Sequence, residues 1–201
     1  MDFQEKTNLF KIRKTVLEML IDRKYIIPDI ENITFEQFNI KCDNKNIDIF
    51  FDDTVIDKKV YIHFHNEQKG FSKNDLKNII QKITNDYEDE NINLILILKD
   101  KENSAITKEL TKEIYKNVEI FLKKNLLFNI THHNYVPKHI ILTKEQEEEL
   151  LDKYNSTKSK LPKISKTDPV AKYYGMKPEQ ICKIIRKSPE VGEIFYYRLV
   201  R

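Results

Sequence analysis

The run Asp168-Pro169-Val170-Ala171-Lys172-Tyr173-Tyr174-Gly175 constrains this chain more than any other stretch. An aspartate followed by proline opens a helical turn. The carboxylate accepts from amides that the turn leaves orphaned, and proline is tolerated at the first helical position. Gly175 then supplies the left-handed residue that closes such a turn. Pro162 and Pro169 bracket the segment that leads in. Two adjacent tyrosines demand packed partners for their rings and polar partners for their hydroxyls. A unit this short, with two rings to accommodate, reads as a docking module rather than a catalytic centre.

Composition narrows the remaining classes. A chain of 201 residues with 40% hydrophobic content can fill one or two ordinary cores. Three glycines leave little material for phosphate-cradling loops, and neither G-x-G-x-x-G nor a Walker sequence is present. No cofactor and no small-molecule substrate are expected. Apolar stretches such as Ile92 to Leu98 are too short to span a bilayer, and the N-terminus has no signal-peptide pattern. The expectation is a soluble protein with no membrane partner. Cys42 and Cys182 are isolated, which points to reduced, buried thiols in a cytosolic or nuclear setting.

Charge is unevenly spread. Residues 1 to 130 hold 21 Lys/Arg against 23 Asp/Glu, whereas residues 131 to 201 hold 14 against 9. From Lys158 onward the count is 11 against 4. A basic tail of this kind suits nucleic acid or an acidic protein surface. A plainly solvated face fits as well, because the lysines are not clustered with stacking aromatics.

Periodicity divides the chain into two modules, residues 1–130 and 131–201. In the first, Phe10, Val16, Leu17, Leu20 and Ile21 form the stripe of an amphipathic helix over residues 3 to 25, and Pro28 follows its end. A short helix near Thr34 to Ile40 precedes two strands, Ile47 to Phe51 and Val60 to Phe64, around an Asp-rich turn. Ser72 to Tyr87 returns to helical spacing. Ile92 to Leu98 is a buried strand, Ser104 to Tyr115 a helix and Val118 to Phe121 another strand. This alternation predicts an α/β domain with a covered central sheet. In the second module Lys138 to Leu142 is a strand, and Thr143-Lys144-Glu145-Gln146 is a capping box that starts a helix through Tyr154. Residues 155–167 read mostly as loop. Ile181 to Ile185 and Glu193 to Leu199 read as strands of a small α+β domain, the final strand closing the sheet.

Four words carry a resemblance to a known family: Val136-Pro137-Lys138-His139, Leu161-Pro162-Lys163-Ile164, the Asp168 to Gly175 run, and Tyr197-Arg198-Leu199-Val200. In this order they resemble the fifth subunit shared by the eukaryotic nuclear RNA polymerases and its shorter archaeal counterpart. Leu9 to Thr15 and Asp22-Arg23-Lys24-Tyr25 resemble the opening helix of the eukaryotic subunit, so the likeness spans nearly the whole chain. The archaeal counterpart consists of the C-terminal module alone. The N-terminal half, together with the abundance of Ile, Asn and Lys expected of an A/T-rich genome, points to a large DNA virus or an A/T-rich protist. The implied setting is a cytoplasmic viral factory and virion, or the nucleus of a cellular host.

The resemblance implies a noncatalytic polymerase subunit. Its C-terminal assembly domain would dock on the largest subunit, beside neighbouring small subunits, and its N-terminal jaw would project toward downstream double-stranded DNA. The docking residues would be Val136, Pro137, His139, Leu161, Pro162, Asp168, Pro169, Tyr173, Tyr174, Gly175 and Arg198. The DNA-proximal loop would include Lys101, Asn103, Ser104, Ala105 and Lys108, where only Asn103-Ser104-Ala105 matches the family's Thr-Pro-Ser-Ala word. Relatives have Arg-Gly-Gln where this chain has Lys177-Pro178-Glu179-Gln180, and Glu-Thr-Ala-Gly where it has Pro189-Glu190-Val191-Gly192. Loss of the first glycine is expected to change a turn.

The family's N-terminal domain shares the restriction-endonuclease-like fold, so a metal-dependent nuclease is an alternative. Such enzymes need an Asp on one strand and an acidic-x-Lys triplet on the next. Asp48 or Asp52 supplies the first. The second strand offers only Tyr61-Ile62-His63 and Phe64-His65, while Glu67-Gln68-Lys69 falls beyond it. The domain is therefore expected to be inactive. His63/His65 and His132/His133/His139 lack the companions of a recognised zinc motif, so no metal site is assigned. A free transcription-regulatory binding protein of the same fold is the other alternative.

Overall fold

The computed structural model describes residues 2–44, 47–53, 58–66, 70–87, 92–100, 104–110, 112, 115, 117–188 and 190–201. The chain forms two compact units, Met1–Phe128 and Asn129–Arg201. No helix among the described residues is long and apolar enough to cross a membrane.

The first unit opens with α1 (Phe3–Asp22). Asp2 caps it by accepting from the Glu5 amide at 2.6 Å, and the Glu5 carboxylate accepts from the Asp2 amide in return. Leu9, Ile12, Val16 and Leu20 recur at helical spacing and are all buried, each contributing about 1.5–3 kcal/mol. Thr34 and Gln37 form a second capping box for α2 (Phe35–Asp43). The sheet has the order β1-β2-β3-β4, with β1 (Ile49–Asp53), β2 (Lys58–Phe64), β3 (Asn93–Leu98) and β4 (Val118–Leu122). β1 and β2 are antiparallel. β3 and β4 join in parallel through α3 (Lys73–Tyr87) and α4 (Ser104–Leu110).

Both faces of this sheet are covered, which is why Leu94 to Leu98 of β3 read as an unbroken apolar run. Tyr61, Leu94, Leu96, Leu98 and Ile120 pack with Leu76 and Ile83 of α3 and Ile106 of α4. On the other face Arg23, at the end of α1, forks onto the Glu119 carboxylate at 2.8 and 2.9 Å and lies over the Phe121 ring. α4 ends at Leu110, short of the helix expected to Tyr115. The Asp-rich turn expected between β1 and β2 includes residues 54–57, which lie outside the described residues.

The second sheet has the order β5-β7-β8-β6. β5 (Lys138–Ile141), β7 (Ile181–Ser188) and β8 (Gly192–Val200) are antiparallel neighbours. β6 (Lys163–Ile164) pairs in parallel with the end of β8. One face carries α5 (Lys144–Lys153) through Leu150, Ile181 and Leu199. The other carries α6 (Pro169–Tyr173) through Ala171, Met176, Cys182, Ile184 and Val200. Burial pushes the Cys182 thiol up to about 11.

One expectation is corrected. The final strand does not close the sheet, because the two-residue β6, placed in the expected loop, lies outside it; so short a strand leaves no periodic signal. The turn at Lys177–Gln180, where a changed turn is expected, contains one left-handed residue. That residue is Glu179, with φ +71°.

Candidate docking surface

The Asp168 run folds as its residue types dictate. The Asp168 carboxylate accepts from the amides of Val170 at 2.9 Å and Ala171 at 3.4 Å, and Pro169 takes the first helical position. Gly175 at φ +62° ends the turn. The Met176 amide donates to the Ala171 carbonyl at 2.9 Å and the Gly175 amide to that of Lys172 at 3.1 Å, which is the Schellman arrangement. Ala171 and Met176 are pressed into the core beneath it.

The two tyrosines divide. Tyr174 is half-buried, its ring stacked above His139 with centroids 6.5 Å apart. Tyr173 is only 2% exposed, and its hydroxyl accepts from Asn129 Nδ2 at 2.9 Å. Asn129 Oδ1 in turn accepts from the Thr131 amide at 2.9 Å and from its hydroxyl at 2.7 Å. Tyr173 therefore secures the first residues of its own unit and offers no side-chain surface to a partner. The assignment of Tyr173 as a contact residue is corrected on that ground.

His139 is buried and donates from Nδ1 to the Pro137 carbonyl at 2.7 Å. Burial holds its pKa below the ordinary value, and Arg186 and Arg198 push the same way, against the Pro137 carbonyl and the Asp168 carboxylate. Arg198 donates from Nη1 to the Lys163 carbonyl at 3.1 Å. The words around Pro137, Asp168, Tyr174 and Arg198 thus meet on the α6 side of the sheet. Val136 and Gly175 are half-buried and Pro169 is exposed. Leu161 instead packs with the α5 cluster, and Pro162 is exposed beside β8.

The N-terminal candidates are less informative. Lys101 and Asn103 lie outside the described residues, Ser104 and Ala105 begin α4, and Lys108 is exposed on it. The same helix carries Glu109, whose carboxylate accepts from Lys73 and Lys112 at 2.8 Å each. Hydrogen bonds from Lys112 and then Lys73 bring its pKa down to about 2.

Asp48 is already engaged. It accepts from Tyr61 Oη at 3.0 Å, His63 Nδ1 at 2.8 Å and the Phe64 amide at 3.0 Å. Burial raises its pKa, but those three bonds outweigh it and leave the group below the ordinary value. A carboxylate spent on three donors has little capacity left for a hard cation. Asp52 stands 4.0 Å from Lys59, and the Glu67-Gln68-Lys69 triplet lies outside the described residues. His65 meets the Phe71 ring edge-on.

Several organising groups escaped sequence reasoning. Glu147, buried in α5, accepts from the Ile181 amide at 2.7 Å and from Lys158. Arg13, inside the Leu9 to Thr15 word, is 2% exposed and donates to the Glu31 carboxylate. A charged residue on an apolar helix face is the one signal that marked Arg13.

Comparison with known proteins fits this geometry. Residues 4–83 match the family model described as RNA polymerase Rpb5, N-terminal domain, and residues 128–200 match the one for its C-terminal domain. The chain is 35% identical, over 98% of both chains, to the DNA-directed RNA polymerases I, II, and III subunit rpabc1 of Dictyostelium discoideum. This chain belongs to the RNA polymerase Rpb5 family. It is also 31% identical to the RPABC1 subunit of Caenorhabditis elegans and 32% identical to that of Caenorhabditis briggsae, in each case over 99% of this chain and 98% of the relative. The two Rpb5 models fall one in each compact unit, and the C-terminal model includes α6 and all four strands of the second sheet.

Proposed function

We propose that this chain is a noncatalytic subunit of a multisubunit DNA-directed RNA polymerase. The observation that carries the reading is identity along the full length of both modules to subunits named as shared by polymerases I, II and III. The C-terminal unit docks on the largest subunit through the α6 side of its sheet, where Pro137, Asp168, Tyr174 and Arg198 surround His139. The N-terminal unit forms the lower jaw. Its mixed sheet, with helices on both faces, supports assignment to an inactive restriction-endonuclease-like fold, and the donors on Asp48 argue against metal-dependent cleavage. Downstream DNA passes near residues 101–108. The chain works in a nucleus if the host is cellular, and in a cytoplasmic viral factory and virion if it is viral.

Affinity purification of the tagged chain from its native cell or infection, followed by mass spectrometry and a promoter-independent transcription assay, tests the reading. Stoichiometric recovery with two large catalytic subunits is expected, and their sequences identify the lineage. Recovery without them overturns the subunit role and returns the regulatory alternative. Changing Lys101 and Lys108 together to Glu is expected to weaken retention of downstream DNA in a salt-dependent way, with assembly intact. An unchanged salt dependence removes that loop from the DNA path.

A further inference from the structure

The outer edge of β8 is open over most of its length. β6 covers only Leu199 and Val200. The Leu199 amide turns outward to the Pro162 carbonyl at 2.8 Å, while the Val200 amide turns inward to Gln180 at 2.9 Å. Alternate residues of a strand direct their N–H and C=O groups to the same side. Glu193, Phe195 and Tyr197 therefore present their backbone groups outward, and β8 has no strand partner there among the described residues.

Pro162 maintains this opening. In the parallel register of Lys163 with Leu199, the next outward carbonyl, that of Tyr197, would accept from the amide of residue 162. Proline has no such amide, so the β6 ladder stops. Exposed edges in soluble proteins are ordinarily blunted by charge, bulges or a covering segment. Here, between Glu193 and Arg198, the edge carries the aromatic side chains Phe195, Tyr196 and Tyr197. Phe195 is 46% and Tyr196 44% exposed, on opposite faces of the strand. A cation sits over each ring: Lys183 Nζ lies 4.0 Å from the Phe195 centroid, and the Arg186 guanidinium 5.1 Å from that of Tyr196.

We propose that the β8 edge from Gly192 to Arg198 receives an extended, acidic segment of a partner chain, which adds a strand to the sheet. This rests on the polymerase-subunit reading and supplies one of its contacts. Backbone groups of Glu193, Phe195 and Tyr197 provide the hydrogen bonds, and the rings flank the added strand on both faces. Charge selects the occupant. Lys183, Arg186, Lys187 and Arg198 outnumber Glu190 and Glu193 on this hairpin. Carboxylates on the incoming strand are attracted on either face, whereas a second copy of the hairpin would bring like charges together.

Phe195→Pro and Phe195→Thr separate edge pairing from ring loss. Both variants remove the ring, but only proline removes the outward N–H, which the β7 ladder does not use. Full-length variants are purified from the native cell, and recovery of the large polymerase subunits is measured. Phe195→Pro is expected to recover on the order of tenfold less than Phe195→Thr, with both retaining the far-UV dichroism of the wild type. Hydrogen exchange on the wild type provides a measurement independent of variant folding. The amides of 193, 195 and 197 exchange fast in the free chain and slowly in the complex, while 194, 196 and 198 are slow in both. Carbodiimide coupling is expected to join Lys183 or Lys187 to Asp or Glu of a polymerase subunit.

Equal recovery of the two variants, with the edge amides still fast in the complex, overturns the edge proposal and leaves the subunit reading intact. Coupling only to Glu190 or Glu193 of a second copy, with a concentration-dependent dimer, overturns the choice of occupant. Failure of the wild type to recover any polymerase subunit overturns the subunit reading itself.

Discussion

Replacing Tyr173 separates a structural role from a contact role. Its ring is 2% exposed and its hydroxyl accepts from Asn129 Nδ2 at 2.9 Å. Tyr173→Phe keeps the packing and removes one acceptor, at about 1 kcal/mol. In a unit of this size that corresponds to a melting shift of roughly 4–8 °C. Tyr173→Ala adds a cavity among packed groups and costs about 3–5 kcal/mol. Total stability is about 0.05–0.15 kcal/mol per residue, so that loss is a large share of what residues 129–201 possess. Tyr174→Ala, at a half-buried ring, costs only about 1–2 kcal/mol and should instead weaken assembly. Thermal unfolding of the full chain, with hydrogen exchange read over residues 129–201, gives each stability. Recovery of polymerase subunits gives assembly. If Tyr173→Ala left unfolding unchanged while abolishing assembly, the burial argument would be refuted and the tyrosine would be a contact residue after all.

Two further outcomes follow from buried and paired carboxylates. Glu147→Ala strands the Ile181 amide and leaves Lys158 with only the Glu179 carbonyl, and should cost about 1.5–3 kcal/mol in urea unfolding, whereas Glu147→Gln keeps an acceptor and recovers most of it. Equal loss in both variants would assign the effect to packing rather than to the acceptor. Glu109 is held at about 2 against an ordinary 4.5, so its contribution is full above 4.5 and is lost as pH falls toward 2. Acid unfolding of the N-terminal unit should therefore steepen in that window, and Glu109→Gln should flatten it. An identical acid profile in the variant would show that the Lys73 and Lys112 contacts contribute nothing there.

What the chain revealed in advance depended on how local the signal was. The Asp168 cap, the Pro169 start and the Gly175 stop are fixed by neighbours within a few residues, and all three stand as read. The same holds for the Thr143 capping box and for the buried run of β3. The position of Tyr173 was not legible, because which of two adjacent tyrosines turns inward depends on Asn129, far away in sequence. β6 was missed for a related reason: a two-residue strand exists only through its pairing with Leu199 and Val200. The pairs of buried Arg13 with Glu31 and of buried Glu147 with Lys158 likewise join residues whose spacing announces nothing. Of the candidate docking set, Pro137, Asp168, Tyr174 and Arg198 come together, while Leu161 belongs to the opposite face.

The Lys177–Gln180 turn carries a left-handed residue that is not glycine. Glu179 has φ +71°, where an L-residue pays for its Cβ by about 1–2 kcal/mol. Its backbone is nonetheless held on both sides. The amide donates to Val200 O at 3.1 Å, and the carbonyl accepts from Lys158 Nζ at 3.0 Å. Neither bond uses the side chain. The carboxylate meets Arg201 at 3.5 Å with both groups more than half exposed, a pairing that contributes little in water. Glu179→Gly should therefore relieve the strain at once. Part of the gain is returned because glycine loosens the unfolded chain, leaving a net stabilisation of about 0.5–1 kcal/mol. Glu179→Ala retains the Cβ and the strain, so its stability should stay within about 0.5 kcal/mol of the parent. Urea midpoints of the three proteins decide the matter. A glycine variant less stable than the alanine variant would mean that Glu179 is not strained, and that the turn differs from the one glycine would adopt.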